Sequence, residues 1–331
     1  MSAARRLERA WYDGAPWLCL LWPLEALFRL GTALRRALYR HGLLQRYRAA
    51  VPVVVVGNIT VGGTGKTPVV IALVEALQAA GLSPGVVSRG YGASAGGFPH
   101  RLGAASTAAE AGDEPLLIFQ RTGAPCVVDP KRSRAARELE RSGVDIIISD
   151  DGLQHYALAR DLEIAILDDV RRTGNGHCLP AGPLREPLSR LQHVDFSLYR
   201  GSEDTAQGVR YRAVAVQSLD DPARHYPLSA FAGDKTVQAV AGIGQPAQFF
   251  ATLRAAGLAV QAHRFPDHHA YVAEDFANLP AGPILMTEKD AVKCRALLSA
   301  ARRAQAWFLR IEAELPQPVI DRVVALARRG R

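Results

Sequence analysis

An α/β fold built on a parallel sheet is predicted by three observations. Continuous β-branched runs alternate with helical stretches, a glycine-rich loop separates the first run from a helix, and a smaller round of strand and helix recurs towards the C-terminus. At 331 residues the chain is longer than the roughly 250 residues at which single cores stop growing, which predicts two lobes. Hydrophobic residues at 48% and charged residues at 22% exclude a wholly disordered chain.

The first run, Val51-Pro52-Val53-Val54-Val55-Val56, has the composition of a strand buried on both faces and stops at Gly57. Val144-Asp145-Ile146-Ile147-Ile148-Ser149 and Glu163-Ile164-Ala165-Ile166-Leu167 repeat it, with helices expected over 68–80 and 133–142. Residues 200–235 are polar and turn-rich and read as the crossing between lobes. Strands at 237–241 and 284–287, and helices at 246–256 and 318–329, make the second lobe.

Between the first strand and its helix lies Gly57-Asn58-Ile59-Thr60-Val61-Gly62-Gly63-Thr64-Gly65-Lys66-Thr67-Pro68. In that context glycines let backbone N–H groups curl around phosphates, and the helix N-terminus adds partial positive charge. Lys66 reaches the outer phosphates and the Thr67 hydroxyl can hold Mg²⁺. Thr60 stands where the full pattern wants glycine, so the match is to its G-K-T half. The chain has five lysines against 35 arginines, so a lysine at position 66 departs from its own background. Gly62, Gly63, Thr64, Gly65, Lys66 and Thr67 are the expected nucleotide-binding residues.

The second strand runs into Ser149-Asp150-Asp151-Gly152-Leu153-Gln154-His155, and carboxylates at that end of a strand lie beside the phosphate loop, where Mg²⁺ is needed. One aspartate would face metal and the other water or substrate. Gly112-Asp113-Glu114-Pro115 reads as a helix start with a carboxylate pair. Ser88-Arg89-Gly90-Tyr91-Gly92 reads as a mobile loop. Phe265-Pro266-Asp267-His268-His269 can set an imidazole against a carboxylate, or be a solvated turn.

The net charge of +8 is concentrated at the start of the chain: residues 1–50 hold nine arginines against Glu8, Asp13 and Glu25. Only +2 remains for the rest, which argues against a nucleic-acid partner and for an anionic membrane surface. The charge-free run from Ala15 to Leu24 would rise only ~15 Å as a helix, half of the ~30 Å hydrocarbon core, so a span is not expected. Trp17, Leu20, Leu21, Leu24, Leu27, Phe28 and Leu34 keep near-helical spacing, as an interfacial amphipathic helix requires. Periodicity alone leaves open that this face packs on the protein; the charge concentration favours the membrane. Cys19, Cys126, Cys178 and Cys294 are far apart and predict neither disulfides nor a zinc cluster.

The expected fold is therefore an α/β, P-loop NTPase-type parallel sheet domain with a second, smaller α/β lobe and an N-terminal amphipathic membrane-associated helix. The expected divisions are 1–50 for the docking segment, 51–225 for the nucleotide-binding domain and 226–331 for the smaller domain.

Taken in order, these segments resemble the lipid A 4′-kinase (tetraacyldisaccharide 4′-kinase) family. Leu179-Pro180-Ala181-Gly182-Pro183-Leu184-Arg185-Glu186-Pro187, Gly242-Ile243-Gly244 and Thr287-Glu288-Lys289-Asp290 extend the likeness over nearly the whole chain. The resemblance implies an ATP- and Mg²⁺-dependent kinase for the 4′-hydroxyl of a tetraacylated glucosamine disaccharide 1-phosphate. It would act peripherally at the cytoplasmic face of the bacterial inner membrane, on a lipid A precursor that stays in the bilayer, with no required protein partner.

The resemblance also implies roles. Asp113 with His268 accepts the proton of the hydroxyl, bringing the second lobe's loop over the first lobe's site, with Lys66 and Asp150 completing the catalytic set. Thr67, Glu114 and Asp151, or Asp150 in its place, hold metal; Arg89, Arg185 and Glu186 contact the acceptor. Sequence leaves open whether His268 or His269 faces the aspartate. The alternative is a membrane-associated regulatory ATPase of the partitioning or cell-division type. Its loops carry a lysine before the double glycine, where this chain has Val61.

Overall fold

The computed structural model describes residues 3–330; Met1, Ser2 and Arg331, and the side chains of residues 3–5 and 233–235, lie outside the described residues. Two compact units interleave along the chain. One comprises Met1–Arg89, Ala124–Arg210 and Glu314–Arg331, the other Gly90–Gly123 and Tyr211–Ala313. Residues 90–123, placed by the sequence reading inside the nucleotide-binding segment, thus pack with the later part of the chain. Composition does not reveal this, because the segment's apolar residues serve either core equally well.

In the first unit six strands run parallel in the order Phe196–Arg200, Leu162–Asp168, Val53–Gly57, Ile146–Asp150, Pro84–Ser88 and Cys126–Val128. Val53–Gly57 is central, and its five residues are buried, as its β-branched sequence predicts. Val53, Val55 and Ile147 pack against Ala135, Ala136 and Leu139 of the helix Arg132–Arg141, which occupies the stretch expected at 133–142. The register pairs Val56 with Asp150 and Val87 with Ser149, so Gly57, Asp150 and Ser88 finish at one edge of the sheet. That edge is where a parallel sheet presents a ligand.

The N-terminal region is helical over Ala3–Asp13, Pro16–Leu21 and Trp22–Arg40. The helical stretch Pro16–Arg40 covers 25 residues and is, by length and composition alone, long and apolar enough to cross a membrane. The charge-free run expected at the surface is thus continued by helix to Arg40. Glu25, which interrupts that run in sequence, is only 5% exposed and is turned into the protein. Trp17, Leu20, Leu24, Leu27 and Leu34 are exposed, joined by Trp22 and Leu30. Leu21 and Phe28 pack inward. The apolar face is thus largely left uncovered by the protein, the outcome that periodicity alone left open.

The second unit carries the strands Leu258–Arg264, Gly233–Ala241 and Ile284–Thr287, nearly all of Ala306–Glu314, and Gly208–Ser218 from Tyr211 onward, side by side in that order, with His225–Tyr226 antiparallel to the last. The first four run parallel. Val237, Ala239, Phe250, Leu253 and Leu285 form one cluster and Val240, Phe276, Ile284 and Met286 another. The polar stretch 200–235 differs from its reading as a plain crossing, because it contains the eleven-residue strand Gly208–Ser218. Four residues of that strand's centre are exposed or half-exposed arginine, tyrosine and alanine, so its alternation carries little apolar signal.

Candidate active site

The phosphate loop leaves the central strand at Gly57 and ends where the helix Lys66–Ala79 begins, so Lys66 and Thr67 occupy the helix's first turn. Gly62 and Gly65 have φ of 100° and 80°, values that only glycine adopts readily, and these reversals return the chain towards the helix axis. A second loop supports it from behind. Thr60 forms an antiparallel bridge with Leu184, the Val61 N–H donates to the Pro183 carbonyl at 2.8 Å, and the Arg185 N–H donates to the Ile59 carbonyl. This pairing explains Thr60: the position expected to be glycine is a paired, extended residue, and the turn is made two residues later. The Thr64 hydroxyl is buried without a hydrogen-bond partner among the described residues, inside the curl where phosphate oxygens are expected.

Asp150 ends its strand beside Val56 and is 1% exposed. Asp151 turns out of the strand at φ 47°, a strained conformation that aims its carboxylate at the loop. Lys66 Nζ lies 3.5 Å from Asp151 Oδ1 and Arg185 Nη1 3.2 Å from Oδ2. Burial raises the Asp151 carboxyl, but Lys66, Arg185 and Arg132 together outweigh it and hold the group below the usual carboxylate range. Arg132, itself buried, donates from Nη2 to both the Asp150 and Asp151 carbonyls at 2.8 Å. It thereby fixes the strained turn. Burial, then Arg132 and Arg160, push His155 down to about 4, leaving it neutral at pH 7.

The second unit assembles a separate cluster. Asp113 and Glu114 open the helix Asp113–Thr122, as the sequence predicts. His268 Nδ1 lies 3.1 Å from Asp113 Oδ2, whereas His269 pairs with Asp275 at 2.9 Å, which selects His268 as the partner of Asp113. The Tyr91 ring packs on His268 at 5.1 Å between centroids. Lys289 Nζ is 2.9 Å from Glu114 Oε1, 3.9 Å from Asp113 Oδ2 and 3.5 Å from His268 Nε2. Burial raises the Asp113 carboxyl, but its hydrogen bond with His268 and the charges of Lys289, His268 and Lys293 bring it below the ordinary range. The same hydrogen bond raises His268 above its ordinary value, against burial and Lys289.

The residues expected at the site therefore fall into two groups. Lys66, Thr67, Asp150, Asp151 and Arg185 belong to the first unit, and Arg89 is exposed there just past Ser88, at the sheet edge that carries the loop. Asp113, Glu114 and His268 belong to the second. Glu186, expected to contact the acceptor, is instead 4% exposed and accepts hydrogen bonds from Gln154 and the Tyr156 hydroxyl, which makes it an internal brace. Glu114, expected at the metal, is engaged by Lys289.

Sequence reasoning gave no role to Arg132, nor to Lys289, which it named only within Thr287-Glu288-Lys289-Asp290. For Lys289 a signal was present: in a chain with five lysines, the rarity argument made for Lys66 applies equally to it. Among the described residues no group of three or more His, Cys, Asp and Glu side chains is arranged to hold a metal alone. A hydroxyl at Thr67 with carboxylates at Asp150 and Asp151 still suits Mg²⁺, which takes oxygen ligands and usually completes its shell with nucleotide phosphates and water.

A family model described as LpxK, tetraacyldisaccharide-1-P 4'-kinase, matches residues 17–328. The chain is 51% identical over 323 residues to a tetraacyldisaccharide 4'-kinase of Aeromonas salmonicida, covering 95% of this chain and 94% of that protein. It is 49% identical over 322 residues to the tetraacyldisaccharide 4'-kinase of Pseudomonas aeruginosa, covering 96% and 95%. Among solved structures it is similar to the "apo" form of LpxK from Aquifex aeolicus in complex with ATP. The TM-score there is 0.76 at 25% identity, over 93% of this chain and 99% of that one. With the family model matching nearly its whole length, the chain belongs to the tetraacyldisaccharide-1-P 4'-kinase family of enzymes.

Proposed function

We propose that this chain transfers the γ-phosphate of ATP to the 4′-hydroxyl of a tetraacylated glucosamine disaccharide 1-phosphate, a step of lipid A synthesis. The observation that carries the proposal is Lys66 at the first turn of its helix, 3.5 Å from Asp151, at the mouth of a loop whose Gly62 and Gly65 are left-handed. The Aquifex aeolicus relative, solved in complex with ATP, supports the choice of nucleotide. Backbone N–H groups of the 62–67 loop bind the phosphates, Lys66 turns from Asp151 to the outer phosphates, and Arg185 keeps Asp151 oriented. Thr67 and Asp150 or Asp151 would hold Mg²⁺, which would supply charge neutralisation for the phosphates.

A sugar hydroxyl is a weak nucleophile near neutral pH and needs a base. With the Nδ1–H of His268 donated to Asp113, Nε2 is left to take the hydroxyl proton. The acceptor oxygen forms its bond to the γ-phosphorus as the bond to the β,γ-bridging oxygen breaks, and ADP leaves. Asp113 balances the imidazolium that results. Lys289, held by Glu114, fixes the orientation of the pair and opposes full protonation of the imidazole.

We place the enzyme at the membrane surface on the cytoplasmic side, where ATP is available. The exposed Trp17, Trp22, Leu24 and Leu27 support docking, because a four-chain lipid acceptor stays in the bilayer. Mass spectrometry of acceptor incubated with ATP and protein tests the reaction. A product heavier by one phosphate, carried on the 4′ position by NMR, is expected; unchanged acceptor beside a folded protein contradicts the proposal.

A further inference from the structure

A pocket of about 410 Å³ in the first unit lies outside the nucleotide site. Its lining includes Arg36, Arg40, Arg46, Arg48, Arg160 and Arg190 against only three carboxylates, Asp161, Glu163 and Asp195. Those carboxylates are committed. Glu163 takes a two-oxygen contact from Arg190 at 2.6 and 2.7 Å and a further bond from Arg160. Asp161 pairs with Arg48 at 2.8 Å and accepts from the Val53 N–H, and Asp195 accepts from the Glu163 N–H. Arg36 and Arg40 have no carboxylate partner among the described residues, and Arg46 only leans over the Tyr39 ring at 5.9 Å. A net of three positive charges in a concave site calls for an anion.

The location narrows which anion. Asp161 sits level with Val53, at the start of the central strand, whereas the phosphate loop leaves the same strand after Gly57. At ~3.3 Å per residue the two ends are about 13 Å apart, so the pocket opens at the opposite sheet edge. The helix Trp22–Arg40 connects these ends. Near its start Glu25 is bonded to Cys178 in the loop that backs Thr60, and near its finish Arg36 and Arg40 line the pocket. The exposed Leu24, Leu27, Leu30 and Leu34 lie between. With that strip in an interface, arginines at its end stand at headgroup depth, where long cationic side chains settle.

We propose that this pocket binds the phosphate of an anionic glycerophospholipid in the same bilayer, as a second attachment point distinct from the acceptor site. Guanidinium groups suit it, because their planar donors meet phosphate oxygens in pairs. The proposal rests on the membrane-docked reading above.

The test is sedimentation of the full chain with vesicles of phosphatidylcholine alone and with one-fifth phosphatidic acid. The double variant Arg36→Gln/Arg40→Gln is compared with Arg328→Gln/Arg329→Gln, which removes two exposed charges from the C-terminal helix. The pocket variant is expected to lose about 25-fold in affinity for the anionic vesicles, from a factor of roughly five for each of its two charges. It should match wild type on neutral vesicles and in kinase rate on detergent-dispersed acceptor. An equal loss in the control variant, or an equal loss on neutral vesicles, overturns the proposal. A fallen kinase rate in detergent free of phospholipid assigns the pocket to the acceptor and overturns it too. If wild type sediments with neither vesicle, membrane docking fails and the pocket proposal with it, while retained kinase activity leaves the reaction itself standing.

Discussion

His268 Nδ1 lies 3.1 Å from Asp113 Oδ2, although 155 residues separate the two in the chain. The contact orients the imidazole and leaves Nε2 as its remaining nitrogen. His268→Ala should therefore lower kcat by about 10²–10³-fold, the usual share of a general base, while changing ATP affinity little. Steady-state kinetics in both substrates checks this, and an unchanged kcat removes His268 from the proposed proton transfer.

The same contact sets a pH dependence. Asp113 raises His268 above its ordinary value, so the base is neutral only at higher pH, and activity should fall as pH drops through that raised value. Asp113→Asn removes the charge, and the acid limb of the pH–rate profile should move to lower pH. Stability runs in the opposite sense. A raised folded-state pKa contributes stability that is present below about 6.5 and fades as pH rises through the folded value. An acid limb left in place by Asp113→Asn contradicts the pairing.

Arg132 donates to two carbonyls of the strained Asp150-Asp151 turn. Arg132→Met keeps bulk but removes the donors, leaving two carbonyls short of partners. It should cost about 1–3 kcal/mol and also lower turnover, because Asp151 loses its fixed direction. Thermal unfolding together with kinase rate measures both effects; a variant with full stability and rate would show the clamp to be dispensable.

Glu25 accepts from the Cys178 N–H at 2.8 Å and meets His177 Nδ1 at 2.7 Å, tying the apolar helix to the loop behind Thr60. Glu25→Ala should release the helix from that loop, at about 1–3 kcal/mol, and Glu25→Gln, which keeps an acceptor, should lose less. Limited proteolysis between the helix and the strand Val53–Gly57 should speed up in the same order. Equal rates in all three proteins would contradict the tether.

The sheet was legible because its strands are continuous β-branched runs, and so was the phosphate loop, whose G-K-T falls between strand and helix. What escaped reading depends on distant partners. Glu25 interrupts an apolar run in sequence, yet its partners lie 152 and 153 residues away and draw it inward, which leaves the exposed strip continuous. Lys289 acquires its setting from Glu114, 175 residues away. Glu186 has the chemistry of a surface contact, but Tyr156 and Gln154 claim it. The strand Gly208–Ser218 was hidden by its arginines and alanines, because a strand with one open face needs little apolar sequence.

The central claim is that Lys66 and its loop deliver a phosphate to a lipid acceptor. Transfer of label from γ-³²P-ATP to detergent-dispersed tetraacyl disaccharide 1-phosphate, by wild type and by Lys66→Ala, tests it most directly. Labelled lipid from wild type, and a rate lower by at least about 10²-fold in a variant with native circular dichroism, is the expected result. Full transfer by folded Lys66→Ala, or no transfer by wild type, would contradict it.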